Sequence, residues 1–324
     1  LLPTVGSPLL WVAFIVGVLF TLALDLGVFN RKAHDVSTRE AAFWSTVWVL
    51  LSLGFNGLVW HWFGGERALE FLSAYLVEKA LSIDNIFVFL IVFGHMGVPT
   101  SLMHRVLFAG ILGALVLRAA FILAGVALIE LFSWTLYVFG GFLLLTGTRL
   151  LFSGADEHDP SRNLTLRIAR KLFHVTEGYH GTRFFVRSQG LLYATPLFVT
   201  LLMIETSDVV FAIDSIPAIF GISRDPFIVF TSNVCAVLGL RAMFFLLQNF
   251  LYRFEYLKYG LALVLAFIGA KMILAEGLGH VLAPIHIPIA WSLGVVAGLL
   301  LLTAVISMAF PPNVTRHGPN DPIQ

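Results

Sequence analysis

Val106-Leu107-Phe108-Ala109-Gly110-Ile111-Leu112-Gly113-Ala114-Leu115-Val116-Leu117-Arg118-Ala119-Ala120-Phe121-Ile122-Leu123-Ala124-Gly125-Val126-Ala127-Leu128-Ile129 carries a single charge, Arg118, at its centre. As a helix it rises ~36 Å, enough to cross a hydrocarbon core of about 30 Å. A charge at that depth is costly and by default marks function. These two facts, a spanning apolar helix and a base in its middle, set the reading of the rest of the chain.

Runs of the same kind recur along all 324 residues. They fall at roughly 8–29, 42–62, 70–93, 106–129, 134–152, 191–220, 227–250, 257–276 and 289–310, which gives nine spans. Hydrophobic residues make up 58% of the chain and charged residues only 12%, whereas a soluble domain carries about 25% charge. Only helices and closed barrels satisfy their backbone groups in lipid, and the alternating ten-residue segments of a barrel are absent. The expected fold is therefore all-α, a polytopic transmembrane helical bundle forming one domain over 1–324. The first run reads as too long for a signal peptide and lacks a convincing cleavage site. A net charge of +1 with dispersed bases gives no nucleic-acid footprint. The lone cysteine, Cys235, excludes an internal disulfide or a thiolate cluster.

Lys and Arg outside the spans or at their very ends are unevenly shared. Arg31, Lys32, Arg39, Arg105, Arg162, Arg167, Arg170, Lys171, Arg183, Arg187, Arg253, Lys258 and Arg316 fall on one side; Arg67 and Arg224 fall on the other. The positive-inside rule then predicts an external N-terminus and a cytoplasmic C-terminus. The longest connection, 153–190, becomes a cytoplasmic loop, with a short amphipathic helix expected around Leu164–Phe173.

The middle of the chain repeats itself. Glu78-Lys79-Ala80-Leu81-Ser82-Ile83-Asp84-Asn85-Ile86 matches Asp208-Val209-Val210-Phe211-Ala212-Ile213-Asp214-Ser215-Ile216, with an acid, five residues and Asp in both. One span later Leu115-Val116-Leu117-Arg118-Ala119-Ala120-Phe121 matches Leu238-Gly239-Leu240-Arg241-Ala242-Met243-Phe244. One span further, Gly147-Thr148-Arg149 matches Gly269-Ala270-Lys271. Three matches in register define repeat A at about 70–152 and repeat B at about 191–276. A unit of three spans re-enters the membrane inverted, an arrangement that in transporters places the site near the midplane where the copies meet.

Six acids lie in the interior of the spans, Asp25, Glu78, Asp84, Glu205, Asp208 and Asp214, while Glu70 and Glu276 fall on terminal residues of theirs. The deep bases are Lys79, Arg118 and Arg241, while Arg149 and Lys271 lie near helix ends and can snorkel. Salt bridging alone would use the deep bases as helix glue, but it leaves a surplus of acid. Glu205 and Asp208 share one helical face. Glu78 and Asp84, like Asp208 and Asp214, are separated by about 240° around the helix. Each of these pairs either serves two levels of a pathway or flanks a helix break. Pro217 frees the carbonyl of Ile213 and offers one place for a break. With Asn85, Asn233, Ser215 and Ser232 nearby in sequence, the donors are hard oxygens suited to Mg²⁺, Ca²⁺ or Mn²⁺. Protons compete with a metal for such oxygens, which is a physical basis for proton-coupled exchange. His61, His95, His104, His174 and His180 lie in loops or at span ends and receive no role.

The segments Tyr75–Val88, Glu205–Ile219, and Thr231-Ser232-Asn233 through Phe244 resemble the hallmark segments of the TerC family, and within it the Alx branch of bacterial inner-membrane proteins. The resemblance runs from Pro8 to about Phe310. It implies a place among LysE-like exporters built on inverted three-helix repeats, with Mn²⁺ as the transported ion and no organic cofactor. The family's membrane acids fall on Asp25, Glu78, Asp84, Glu205, Asp208 and Asp214. The resulting expectation is a manganese exporter of the bacterial inner membrane exchanging metal for protons. Its site would use these acids with Asn85 and Asn233, supported by Arg118, Arg241 and Lys79. A calcium/proton exchanger would use the same ligands. An intramembrane enzyme and a scaffold docking partners on 153–190 are the alternatives of other classes.

Overall fold

The computed structural model describes residues 4–24, 37–132, 134–152, 173–188, 191–248, 256–275 and 287–309, with the side chains of Asp84 and Ser188 outside that description. Ten helices and one hairpin follow in order: α1 Pro8–Leu24, α2 Thr38–Phe63, α3 Gly65–Met96, α4 Thr100–Leu131, α5 Thr135–Phe152, β1 Phe185–Ser188, β2 Leu191–Ala194, α6 Pro196–Phe220, α7 Pro226–Leu238, α8 Leu240–Leu247, α9 Leu257–Ala275 and α10 Ile289–Ala309. Local chemistry sets the ends. Ser37 accepts from the Glu40 N–H in a capping-box pattern at the start of α2. Gly97, at φ 61°, closes α3 in the left-handed conformation. Pro196 and Pro226 occupy first-turn positions of α6 and α7, where a missing N–H costs nothing.

This is a polytopic membrane protein of the all-α class, with the one short hairpin as its only sheet among the described residues. Among the described residues six helices (α2, α4, α5, α6, α9 and α10) are long and apolar enough to cross a bilayer, and the α7–α8 pair makes a seventh if it forms one bent span. α1 is apolar but shorter. α3 is as long as α4 yet carries the densest charge. Large apolar side chains face outward, with Val116 70% and Leu123 67% exposed on α4, which is the arrangement expected of a lipid-facing surface.

Two expectations change. The span at 191–220 does not begin as helix: Leu191–Ala194 is the second strand of an antiparallel hairpin, pairing Phe185 with Ala194 and Arg187 with Leu192. The residue before a proline avoids helical ψ, so the helix starts at Pro196. α6 then runs continuously through Pro217 to Phe220. The break lies elsewhere, at Gly239, where α7 and α8 meet at 40°. The amphipathic helix expected near Leu164–Phe173 falls almost entirely outside the described residues, as does Asp25.

α3 runs through the middle of the bundle, packing against α2, α6, α7 and α10. α4 packs along α6, and α5 along α9. The α5–α9 contact brings backbones together: a Cβ at Gly140 would stand 2.7 Å from Ile273 and 3.0 Å from the Gly269 carbonyl oxygen. At the neighbouring Gly141 it would meet nothing within 4 Å. Small residues at helix crossings gain van der Waals contact that lipid cannot replace. Gly140→Leu is therefore expected to destabilise the protein by at least about 1–3 kcal/mol, while Gly141→Leu leaves it unchanged. Thermal melts of both variants in detergent check the contrast.

Of four apolar clusters among the described residues, the two largest meet along α3. One gathers Ile86, Phe89 and Phe93 of α3 with Leu107, Met203 and Phe244. The other gathers Ala74 and Val77 of α3 with Ile122, Leu143, Phe220 and Ile268. The polar residues of α3 between Val77 and Ile86 lie where the two meet.

Candidate functional site

Arg118 sits at the middle of α4 and Asp208 at the middle of α6, with Glu78 near the middle of α3. Their side chains are almost wholly enclosed, at 3%, 4% and 0% exposure respectively. The guanidinium Nη1 donates to Glu78 Oε1. Nη2 donates to Asp208 Oδ1 at 3.2 Å, and Nε to Asp208 Oδ2 at 3.4 Å, a forked contact. Nη1 also reaches Asn233 Oδ1 on α7 at 3.4 Å. One cation thus ties four helices together at mid-depth.

The pairing does not exhaust the oxygens. Two carboxylates share one guanidinium, and Glu78 Oε2 has no hydrogen-bond partner among the described residues. The same holds for Ser82 Oγ, Asn85 Oδ1, Ser215 Oγ and Asn233 Nδ2, all buried. Glu78, Ser82 and Asn85 follow at i, i+4 and i+7, so they line one face of α3. Asp208 and Ser215 are likewise two turns apart on one face of α6. Buried polar atoms normally find partners, so orphans clustered on α3, with others on its neighbours α6 and α7, mark a place built to bind something polar.

The other acids are distributed around this centre. Glu205 lies one turn before Asp208 on the same face of α6. Its carboxylate rests against the backbone of Gly113 on α4, where any Cβ would overlap it. Asp214 turns to α5 and accepts from Thr146 Oγ1 at 3.4 Å, so Asp208 and Asp214 do address different neighbours. Asp84 lies on α3, but its side chain is outside the description. Lys79 donates to the backbone carbonyl of Ala236 at 2.8 Å. Arg241 lies on α8, beyond the break, with contacts of its own. Among the described residues no three His, Cys, Asp or Glu side chains converge as a metal cluster. The described centre is a pair of carboxylates with amides and hydroxyls.

Sequence reasoning missed Glu70 and Asp225. Arg67 Nη1 holds both Glu70 oxygens at 2.8 Å, and Ser223 Oγ donates to Glu70 at 2.6 Å. Asp225 caps α7 through the N–H groups of Phe227 and Ile228 and also takes Thr4 Oγ1 and the Val5 N–H. The Asp225-Pro226 step is a helix-start signal and Arg67-x-x-Glu70 an i, i+3 pair; both were legible. Gly113 and Thr146 carried no such signal.

The model of the family described as "Integral membrane protein TerC family" matches residues 63–314, a stretch holding every residue of the Arg118 centre. The chain belongs to the TerC family. This TerC protein is 49% identical over 317 residues to "Uncharacterized membrane protein STKORF319" of Myxococcus xanthus, covering 98% of this chain and 96% of the relative. It is 49% identical over 314 residues to "Putative membrane-bound redox modulator Alx" of Salmonella typhi, covering 94% and 95%. The Alx protein of Escherichia coli strain K12 is 48% identical over the same length, covering 94% and 95%. No solved structure matches the chain.

Proposed function

We propose that this TerC protein is a secondary transporter that exports divalent manganese across the bacterial inner membrane in exchange for protons. The observation that carries the reading is the buried Arg118 centre: two carboxylates share one guanidinium, and orphan polar atoms cluster on α3, with others on α6 and α7. Arg118 acts there as a tethered cation. Metal arriving at Glu78 and Asp208 takes over its role, with Asn85 and Asn233 as neutral oxygen donors and Asp84 and Asp214 extending the site. Glu205 and Asp25 lengthen the path or carry protons. Carboxylates must be ionised to hold a metal, so affinity rises with pH and binding releases protons.

The architecture of this reading is nine spans: α1 to α6, the bent α7–α8 pair, α9 and α10. N-terminus outside and C-terminus in the cytoplasm follow from the placement of Lys and Arg. The spans contain two inverted three-helix repeats, α3–α5 and α6–α9, joined by the cytoplasmic loop 153–190. The helix pairing supports the repeat. With α3 matched to α6, α4 to α7–α8 and α5 to α9, the α3–α7 and α4–α6 contacts become equivalent, and α5–α9 and α3–α6 lie on the pseudo-axis.

Everted vesicles test the reading. The account expects ATP-independent, proton-gradient-driven uptake of Mn²⁺ that raises internal pH. Absence of uptake in vesicles rich in the protein contradicts it. Uptake of Ca²⁺ that Mn²⁺ fails to inhibit would favour the calcium/proton exchanger. The name of the Alx relatives attaches a redox role to them, and this chain has one thiol, Cys235, which is buried. Export through carboxylates expects Cys235→Ser to leave Mn²⁺ uptake within about twofold of the parent, the scale of a conservative core change. A redox role for that thiol expects the variant to fail.

A further inference from the structure

A helix broken at membrane depth must find partners for the backbone groups it frees. At the break between α7 and α8 the Gly239 N–H turns back to the Val237 carbonyl, and helical bonding resumes with Met243 N–H donating to Gly239. The Ala236 carbonyl, which an unbroken helix would satisfy from Leu240, accepts the Lys79 ammonium of α3 at 2.8 Å. The break is shaped around that lysine: a Cβ at Gly239 would stand 2.8 Å from Lys79 Nζ and 3.1 Å from Trp48 Cβ. Lys79 immediately follows Glu78, the acid held by Arg118. The two half-helices it joins carry Asn233, which touches Arg118, and Arg241, the repeat counterpart of Arg118.

We infer that Lys79 is a positioning residue, the pin of a hinge at Gly239: its ammonium replaces the lost intrahelical bond and fixes α8 against α7. An ammonium at the carbonyl end of a half-helix is favoured by charge as well as by the hydrogen bond. Because Glu78 and Lys79 are neighbours on one helix, a shift of α3 that moves Glu78 relative to Arg118 also loads the pin. The hinge angle, and with it Arg241, therefore responds to occupancy of the acid pair. This inference rests on the transport reading for its functional arm, but its structural arm stands alone.

The experiment uses the full-length protein in nanodiscs, with hydrogen exchange read at peptides covering 236–247 and Mn²⁺ uptake read in vesicles. Lys79→Met keeps the stem and removes the donor. It is expected to raise exchange about tenfold over this segment alone and to lower uptake about tenfold, as for one lost charged hydrogen bond. Lys79→Arg, which restores a cationic donor, is expected to recover both. Unchanged exchange over 236–247 in Lys79→Met overturns the inference, as does a Lys79→Arg variant no better than Lys79→Met. If Lys79→Met does not fold, Gly239→Ala decides: its methyl displaces the ammonium, and parental exchange and uptake in that variant overturn the pin. Absence of Mn²⁺ uptake by the parent protein would count against the transport reading alone, since the exchange result would still decide the role of Lys79.

Discussion

Asp208→Asn and Glu78→Gln each reduce Mn²⁺ uptake into everted vesicles by at least about 100-fold, the scale of a lost charged partner at a buried site. Both changes keep size and shape, so the loss reports charge. Asn at 208 still offers an oxygen to Arg118 but no longer completes the anionic pair, and a divalent cation then gains too little to displace the tethered guanidinium. Glu205→Gln is expected to be milder, because Glu205 lies against Gly113 rather than on Arg118. Steady-state uptake rates, normalised to protein in the membrane, rank the three. Parental uptake in Asp208→Asn would remove the central carboxylate from the account.

Arg118→Met destabilises the fold by about 3–5 kcal/mol, because it leaves Glu78 and Asp208 buried without their shared cation. The buried pair is not intrinsically stabilising; breaking it from one side is what costs. Arg118→Met combined with Glu78→Gln and Asp208→Asn therefore recovers most of the lost stability, although transport stays absent. Melting temperatures of the single and triple variants in detergent give the comparison. Mn²⁺ added to the single variant raises its melting temperature, since the metal can then take the place of the missing guanidinium. A triple variant no more stable than Arg118→Met would mean that Arg118 holds the helices through packing rather than charge.

The centre was legible because charge in an apolar run stands out whatever the tertiary structure. Arg118 in the middle of Val106–Ile129 needed an anion, and Glu78 and Asp208 were candidates at matching depth. The alternating faces of Asp208 and Asp214 also followed from helix geometry alone, and the structure turns one to Arg118 and the other to Thr146. What was illegible depended on a neighbour. Pro217 looked like the breaker, but it lies in the last turn of α6, so only three residues of helix follow the bond it removes. Gly239 carried no sequence signal of a break, because the lysine that caps it comes from another helix 160 positions away in sequence. The hairpin strand Leu191–Ala194 was hidden for a third reason: a short apolar run adjoining a helix has no period of its own. The hard-oxygen character of the site was readable from composition, whereas the orphan status of Ser82, Asn85 and Ser215 needed coordinates.

Direct binding tests the central claim, that the acid pair at Arg118 is the cation site. Room-temperature electron paramagnetic resonance of free Mn²⁺, titrated with purified protein in detergent at neutral pH, counts bound metal without requiring transport. The account predicts loss of free-ion signal with the parent protein, weaker binding as the pH falls, and no binding above background in the Glu78→Gln/Asp208→Asn double variant. Equal Mn²⁺ binding by the parent and a folded double variant would contradict it.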